Sequence, residues 1–144
     1  QPDRHRRRAG HPQLKKAHAF AARRAAIAQQ YSAAFADLPV ITAPDAPAGE
    51  LHPWHLYVLR LQPGAGIGRD AFIEQLFAAG IGCSVHYIPL HLQPYWRDRY
   101  GLRAADFPHS QQAYAQMLSL PVYSRMTDGD VQRVIDAVRG LLAR

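Results

Sequence analysis

The chain has 144 residues, 48% of them hydrophobic and 19% charged, which suits one domain with one core and leaves no run near the ~18 apolar residues of a membrane helix. A single cysteine, Cys83, excludes an internal disulfide framework and the common structural zinc sites. The net charge of +6 is uneven: residues 1–30 hold eight of the 17 basic and one of the 11 acidic residues, net +7, against nine and ten in the remainder, net −1; no aromatic interleaving, zinc-finger spacing or helix-turn-helix pattern accompanies that basic head, so specific nucleic-acid binding is not expected.

The first twelve residues, QPDRHRRRAGHP, lack apolar periodicity and carry Pro2, Gly10 and Pro12, which predicts a disordered or loosely attached segment. They also lack the apolar core and small-residue cleavage site of a secretory signal, and the chain reads as cytoplasmic. From Gln13 the pattern changes. Leu14, Ala17, Phe20, Ala21, Ile27, Tyr31, Ala34 and Phe35 fall at three- and four-residue spacings, predicting a long amphipathic helix over 13–37. Its narrow, alanine-rich stripe is of the kind that crosses between domains, because small side chains let another element lie close.

Residues 38–144 are expected to form a small α+β domain. Leu38 to Glu50 reads as a linker, and HPWHLYVLRL as a mostly buried strand through Trp54, Leu56, Tyr57, Val58 and Leu59. PGAGIG turns the chain. Arg69 to Ala79 is a helix expected to bury Phe72, Ile73, Leu76 and Phe77 on one side, with Gly80 as its stop. Cys83 to Tyr87 is a short strand candidate that Pro89 and Pro94 keep from continuing, and a long loop follows. Pro108 opens a helix through Tyr114 to Leu118, SLPVYSRM is extended, and Thr127 with Asp130 forms a capping box for a last helix carrying Val131, Val134, Ile135, Val138, Leu141 and Leu142. The predicted architecture is α+β, a small antiparallel sheet packed with helices.

Candidates for chemistry concentrate around SVHYIPLHLQPYW. His86 and His91 are five apart across Pro89, unlike a helical metal pair, and with His55 they lack a nearby carboxylate, so no metal site is expected. Ser84 and Ser119 have no strained elbow, and Cys83 in an apolar strand reads as a small, inert residue. PGAGIGRD lacks the Lys-Ser/Thr of a phosphate loop, and Arg69 beside Asp70 reads as a solvated or capping group. Lys15 and Lys16, the only lysines, fall on the exposed start of the long helix, without the shelter that makes an amine nucleophilic at neutral pH.

Taken together, QLKKAHAFAARRAAIAQQY, HPWHLYVLRL, RDAFIEQLFAAGIGCSVHYIPLHLQPYW and FPHSQQAYAQMLSLPVYSRMT resemble the C-terminal part of aminotransferases of the DegT/DnrJ/StrS family. HPWHLY resembles the branch that makes aminoarabinose or related amino sugars of bacterial envelope polysaccharides. The resemblance covers about Gln13 to Leu142. It implies the small α+β domain of a pyridoxal phosphate enzyme that aminates nucleotide-linked keto-sugars, whose cofactor lysine belongs to a large domain and whose active sites lie at a dimer interface. It implies a homo-oligomer, with His86 and Tyr87, and more weakly His91, as substrate-binding residues. It assigns no catalytic or cofactor-binding residue to this chain and no amino-group transfer by the chain alone; pyridoxal phosphate belongs to the full-length enzymes. Trp54, Tyr95 and Trp96 are expected in packing. A standalone sugar-nucleotide binding or protein-interaction module is the alternative expectation.

Overall fold

The computed structural model describes residues 3–44 and 46–143, with side chains in the first helix from residue 14 onward. In chain order the elements are α1 (Asp3–Ala34), β1 (Val40–Thr42), β2 (Tyr57–Leu61), α2 (Arg69–Ala78), α3 (Pro94–Tyr100), α4 (Pro108–Gln116), β3 (Met117–Leu120) and α5 (Asp128–Leu142). The strands form one antiparallel sheet in the order β1-β2-β3, with Val40 opposite Leu61 and Tyr57 opposite Leu120. This is the expected α+β class. The irregular segment expected at the start differs: the backbone of α1 is helical from Asp3, while residues 1 and 2 lie outside the described residues.

Successive side chains of a strand point to opposite faces, and β2 follows that rule, with Tyr57, Leu59 and Leu61 buried and Val58 and Arg60 only partly so. Phe72 and Leu76 from α2, Val131, Val134, Ile135 and Val138 from α5, Ile27, Ala28 and Tyr31 from α1, and Phe35 just past its end complete the same core. Among the described side chains of α1, those of its second half take part. Leu14 is 71% exposed and Phe20 is exposed too, so the apolar stripe continues beyond the surface this domain offers it.

Arginines fasten α1 to its neighbours. Arg23 donates through Nε and Nη2 to the Met126 carbonyl at 3.2 and 2.7 Å and meets Asp128 at 2.8 Å. Arg139 forks onto Asp37 at 2.7 and 2.8 Å and also donates to the carbonyl of Ala34, a group the end of α1 leaves without an intrahelical partner. Thr127 and Asp130 form the expected capping box of α5, with Asp130 N donating to Thr127 Oγ1 and Thr127 N to Asp130 Oδ2.

α2 ends as its sequence predicts. Gly80 has φ +75°, its N–H donates to the Phe77 carbonyl and that of Ile81 to Leu76, the paired bonds of a Schellman stop with Ile81 and Leu76 both buried beside it. Phe77, expected on the buried side, is 75% exposed. Successive residues of a helix are 100° apart, and Phe77 lies one such step past Leu76 and outside the core contact.

Five other expectations change. The presumed linker contains β1, a three-residue edge strand. The strand expected over Cys83 to Tyr87 reduces to a bridge between Ser84 and Ser119. The helix expected to reach Leu118 stops at Gln116, where the chain enters β3. The long loop contains α3 together with short helical turns at Leu90–Leu92 and Ala104–Asp106. Trp54, read as a strand residue, instead occupies a left-handed conformation with φ 45° ahead of β2, held by its N–H on His52 Nδ1 and by Arg24 on the Pro53 carbonyl at 2.7 Å.

Two outcomes are expected. Gly80→Ala should lower unfolding stability by about 1–2 kcal/mol, the cost of a Cβ in the left-handed region, measured by urea titration; that Cβ would also stand 2.8 Å from Arg133 Nη2, a flexible tip that can move. Asp37 is held at about 2, below its ordinary 3.8, by its hydrogen bonds with Arg139. A carboxyl depressed on folding contributes stability above its unfolded value that is lost as pH falls through the folded one, so the urea midpoint should drop between pH 3.8 and about 2 more steeply in the unaltered chain than in Asp37→Asn.

Candidate functional site

The residues singled out by sequence sit where the chain leaves the sheet. Ser84 and Ser119 exchange backbone hydrogen bonds at 3.2 and 2.7 Å, which anchors the segment beside β3. Two residues later the chain turns away, and His86 and Tyr87 follow on a cis peptide bond with ring centroids 5.3 Å apart at 64°. His86 is half-buried. Tyr87 is 81% exposed. The pair therefore presents an open phenol face next to an imidazole, with none of the described residues folded over it.

His91 does not share that surface. It is buried, its Nε2 lies 3.1 Å from Gln111 Oε1, and its ring stacks on Phe107 at 5.0 Å and 17°. Its Nε2 meets Gln111 of α4 and one face of its ring lies on Phe107, so in this domain it stands apart from the open surface of Tyr87. His91 pins the turn Leu90–Leu92 to α4, and so supports the loop that carries Tyr87. Gln93 closes the same loop, its side-chain amide reaching the Ile88 carbonyl at 3.5 Å.

Trp54 is buried against Tyr57 at 6.0 Å, as expected of a packing residue. Tyr95 and Trp96 are not packed: they are 66% and 41% exposed on α3. Arg69, expected as a solvated or capping group beside Asp70, pairs with that residue and has only 11% of its side chain exposed. Its guanidinium lies 5.1 Å over the Tyr114 ring and donates to the Tyr114 carbonyl, tying the start of α2 to α4. What sequence reasoning missed is α3 itself, whose signals were Pro94 at a helix start and Gly101 just past its end.

The reactive-group inventory is short. Burial pushes the Cys83 thiol up to about 11, which keeps it protonated and unreactive at neutral pH. Lys15 and Lys16 are exposed along α1. Among the described residues no cluster of three His, Cys, Asp or Glu side chains could hold a metal ion, and no helix is long and apolar enough to cross a membrane. A cleft of about 350 Å³ is lined by Ile81, Pro121, Tyr123, Met126, Arg133 and Val134, on the side of the domain where α5 meets the end of α2.

Comparison with known proteins gives a consistent result. The family model described as the DegT/DnrJ/EryC1/StrS aminotransferase family matches residues 9–139. The spore coat polysaccharide biosynthesis protein SpsC of Bacillus subtilis is 41% identical over 132 residues, which is 90% of this chain and 34% of that protein. The crystal structure of the aminotransferase TlmJ from Streptoalloteichus hindustanus superposes with a TM-score of 0.80 at 30% identity, covering 93% of this chain and 35% of that one. DesI, crystallised in the presence of its TDP-sugar product, superposes with a TM-score of 0.76 at 29% identity over 91% of this chain and 33% of its own. The chain thus spans about a third of the length of the relatives it matches.

Replacing His91 by Ala should remove the stack on Phe107 and leave Gln111 without its partner, at a cost of about 2 kcal/mol read from urea unfolding.

Proposed function

The chain belongs to the DegT/DnrJ/EryC1/StrS aminotransferase family, and from that premise we propose that it is the substrate-facing small domain of an enzyme that aminates nucleotide-linked keto-sugars for polysaccharide amino-sugar synthesis. The observation that carries this reading is the adjacent pair His86 and Tyr87, displayed on the segment leaving the sheet with the phenol open to solvent. A flat phenol packs against the apolar face of a sugar ring, and an imidazole and a phenol hydroxyl together donate to and accept from ring hydroxyls. One such wall gives orientation only; full enclosure of a sugar needs a second surface opposite Tyr87.

Amino-group exchange is a different matter. Pyridoxal phosphate supplies an electron sink for that chemistry, and holding it ready requires an amine made nucleophilic by burial or a neighbouring cation inside a pocket. The residues here do not fit the cofactor, because both lysines stand in solvent on α1. The 144-residue chain accordingly contributes substrate contacts and not the transfer step. The exposed apolar stripe of α1, with Leu14 and Phe20, is the surface through which it would join the rest of such an enzyme and a second subunit.

The test has two readouts on the purified chain. Incubated with pyridoxal phosphate, glutamate and a nucleotide-linked keto-sugar, it should give neither a borohydride-trappable lysine adduct nor amino-sugar. A stoichiometric lysine adduct with turnover of glutamate overturns the division of labour. Titrated with the sugar nucleotide, it should bind saturably, and His86→Ala or Tyr87→Ala should weaken that binding roughly fivefold to tenfold, the loss of a modest polar or stacking contact; unchanged binding in both variants removes the pair from the substrate site.

A further inference from the structure

The seven-residue helix α3 carries three large rings in solvent. Tyr95, Trp96 and Tyr100 are 66%, 41% and 60% exposed, a costly display unless something planar covers it. Their arrangement is ordered. Trp96 and Tyr100, one turn apart on the same helix face, stack at 5.7 Å and 11°, and Tyr95 stands edge-on to Trp96 at 5.3 Å and 86°. Arg99 reaches over the Tyr100 ring with its guanidinium 5.9 Å from the centroid.

The two arginines of the helix differ in a way that matters for charge. Arg97 is forked onto Asp98 at 2.7 and 3.2 Å, which neutralises it. Arg99 lies against the Tyr100 ring and has no carboxylate within ion-pair distance among the described residues. The shelf therefore offers flat π surface beside one available guanidinium. That combination suits a ligand that is planar at one end and anionic next to it: bases stack on aromatic rings whatever their identity, and a guanidinium takes phosphate oxygens in pairs.

Position supports the same ligand. The Gln93 side chain on the Ile88 carbonyl folds the loop back on itself, so α3 begins beside the residue that follows Tyr87. In the chain, one folded-back loop separates the rings of α3 from Tyr87 and His86.

We propose that α3 seats the nucleoside diphosphate end of the nucleotide-linked sugar, with the base against the Trp96 and Tyr100 rings and the phosphates on Arg99. This rests on the reading of His86 and Tyr87 as the sugar-facing pair, and it adds the part of the ligand that pair does not reach. Specificity for a particular base is not built into a stacking shelf, so uridine and thymidine diphosphates should both bind.

The chain's two tryptophans make the shelf directly observable, since Trp54 is buried and Trp96 exposed. In nitrogen-15 spectra of the full chain, uridine diphosphate or thymidine diphosphate should move the Trp96 indole resonance saturably and leave that of Trp54 in place, and inorganic diphosphate should move neither. By calorimetry, Trp96→Ala and Arg99→Gln should each weaken uridine diphosphate binding about tenfold. Trp96→Phe, which keeps a ring, should bind close to the unaltered chain and guards against a folding artefact. His86→Ala should bind uridine diphosphate normally and lose only the extra affinity gained with a uridine diphosphate sugar. If that extra affinity never exists while the Trp96 response does, the sugar-facing reading falls and the shelf stands. No Trp96 response, or equal affinity in Trp96→Ala, overturns the shelf. Self-association abolished by Trp96→Ala and indifferent to nucleotide also overturns it, and assigns the rings to a second copy of the chain.

Discussion

A phenol buried among apolar side chains must find a partner for its hydroxyl, and that requirement at Tyr31 and Tyr57 ties the layers of this domain together. Tyr31 is wholly buried on α1; its hydroxyl donates to the Pro121 carbonyl at 3.0 Å, just past β3. Tyr57, on β2, has its hydroxyl 3.1 Å from Ser32 Oγ, back on α1. The two rings meet edge to face at 5.1 Å, and Phe35 stacks on Tyr31. Burial raises both phenols above their ordinary value, so both stay protonated at neutral pH. Sliding α1 along the sheet would leave two buried hydroxyls without partners, each at about 1–3 kcal/mol.

Because the second half of α1 is fixed in this way, the first half projects. Its apolar stripe has the spacing of a packed helix, yet Leu14 and Phe20 on it are exposed. The segment after Ser84 likewise leaves the sheet and exposes the rings of Tyr87, Tyr95 and Trp96. His91, buried against Phe107 and Gln111, gives that segment a rigid foot. The domain thus holds two things in one frame: a helix with an exposed apolar stretch through Leu14 and Phe20, and a loop of aromatic and imidazole groups held by a buried anchor.

Much of this was legible in the residues. The 3.6-residue period of α5, the capping box at Thr127 and Asp130, and the stop at Gly80 are local features whose physics is complete within a few positions, and each formed as read. The elements that went unread were short or context-dependent. β1 is three residues in a proline-rich segment and exists because β2 offers it a ladder. α3 reads as loop in the sequence because a seven-residue helix has too few turns to show a period. Trp54 has the composition of a strand residue, but Arg24 and His52 hold its neighbourhood in a turn.

The sequence by itself determined the α+β class, the family, the main helices and their caps, and the exposure of the only two amines, because periodicity, capping and the linked motifs are properties of neighbouring positions. Only the tertiary structure decided which rings face solvent: it buried His91, turned Tyr95, Trp96 and Phe77 outward, and drew Arg69 in against Tyr114. The physical reason is that a period reports the face a residue occupies on its own element, whereas burial depends on whether another element, distant in sequence, comes to cover that face.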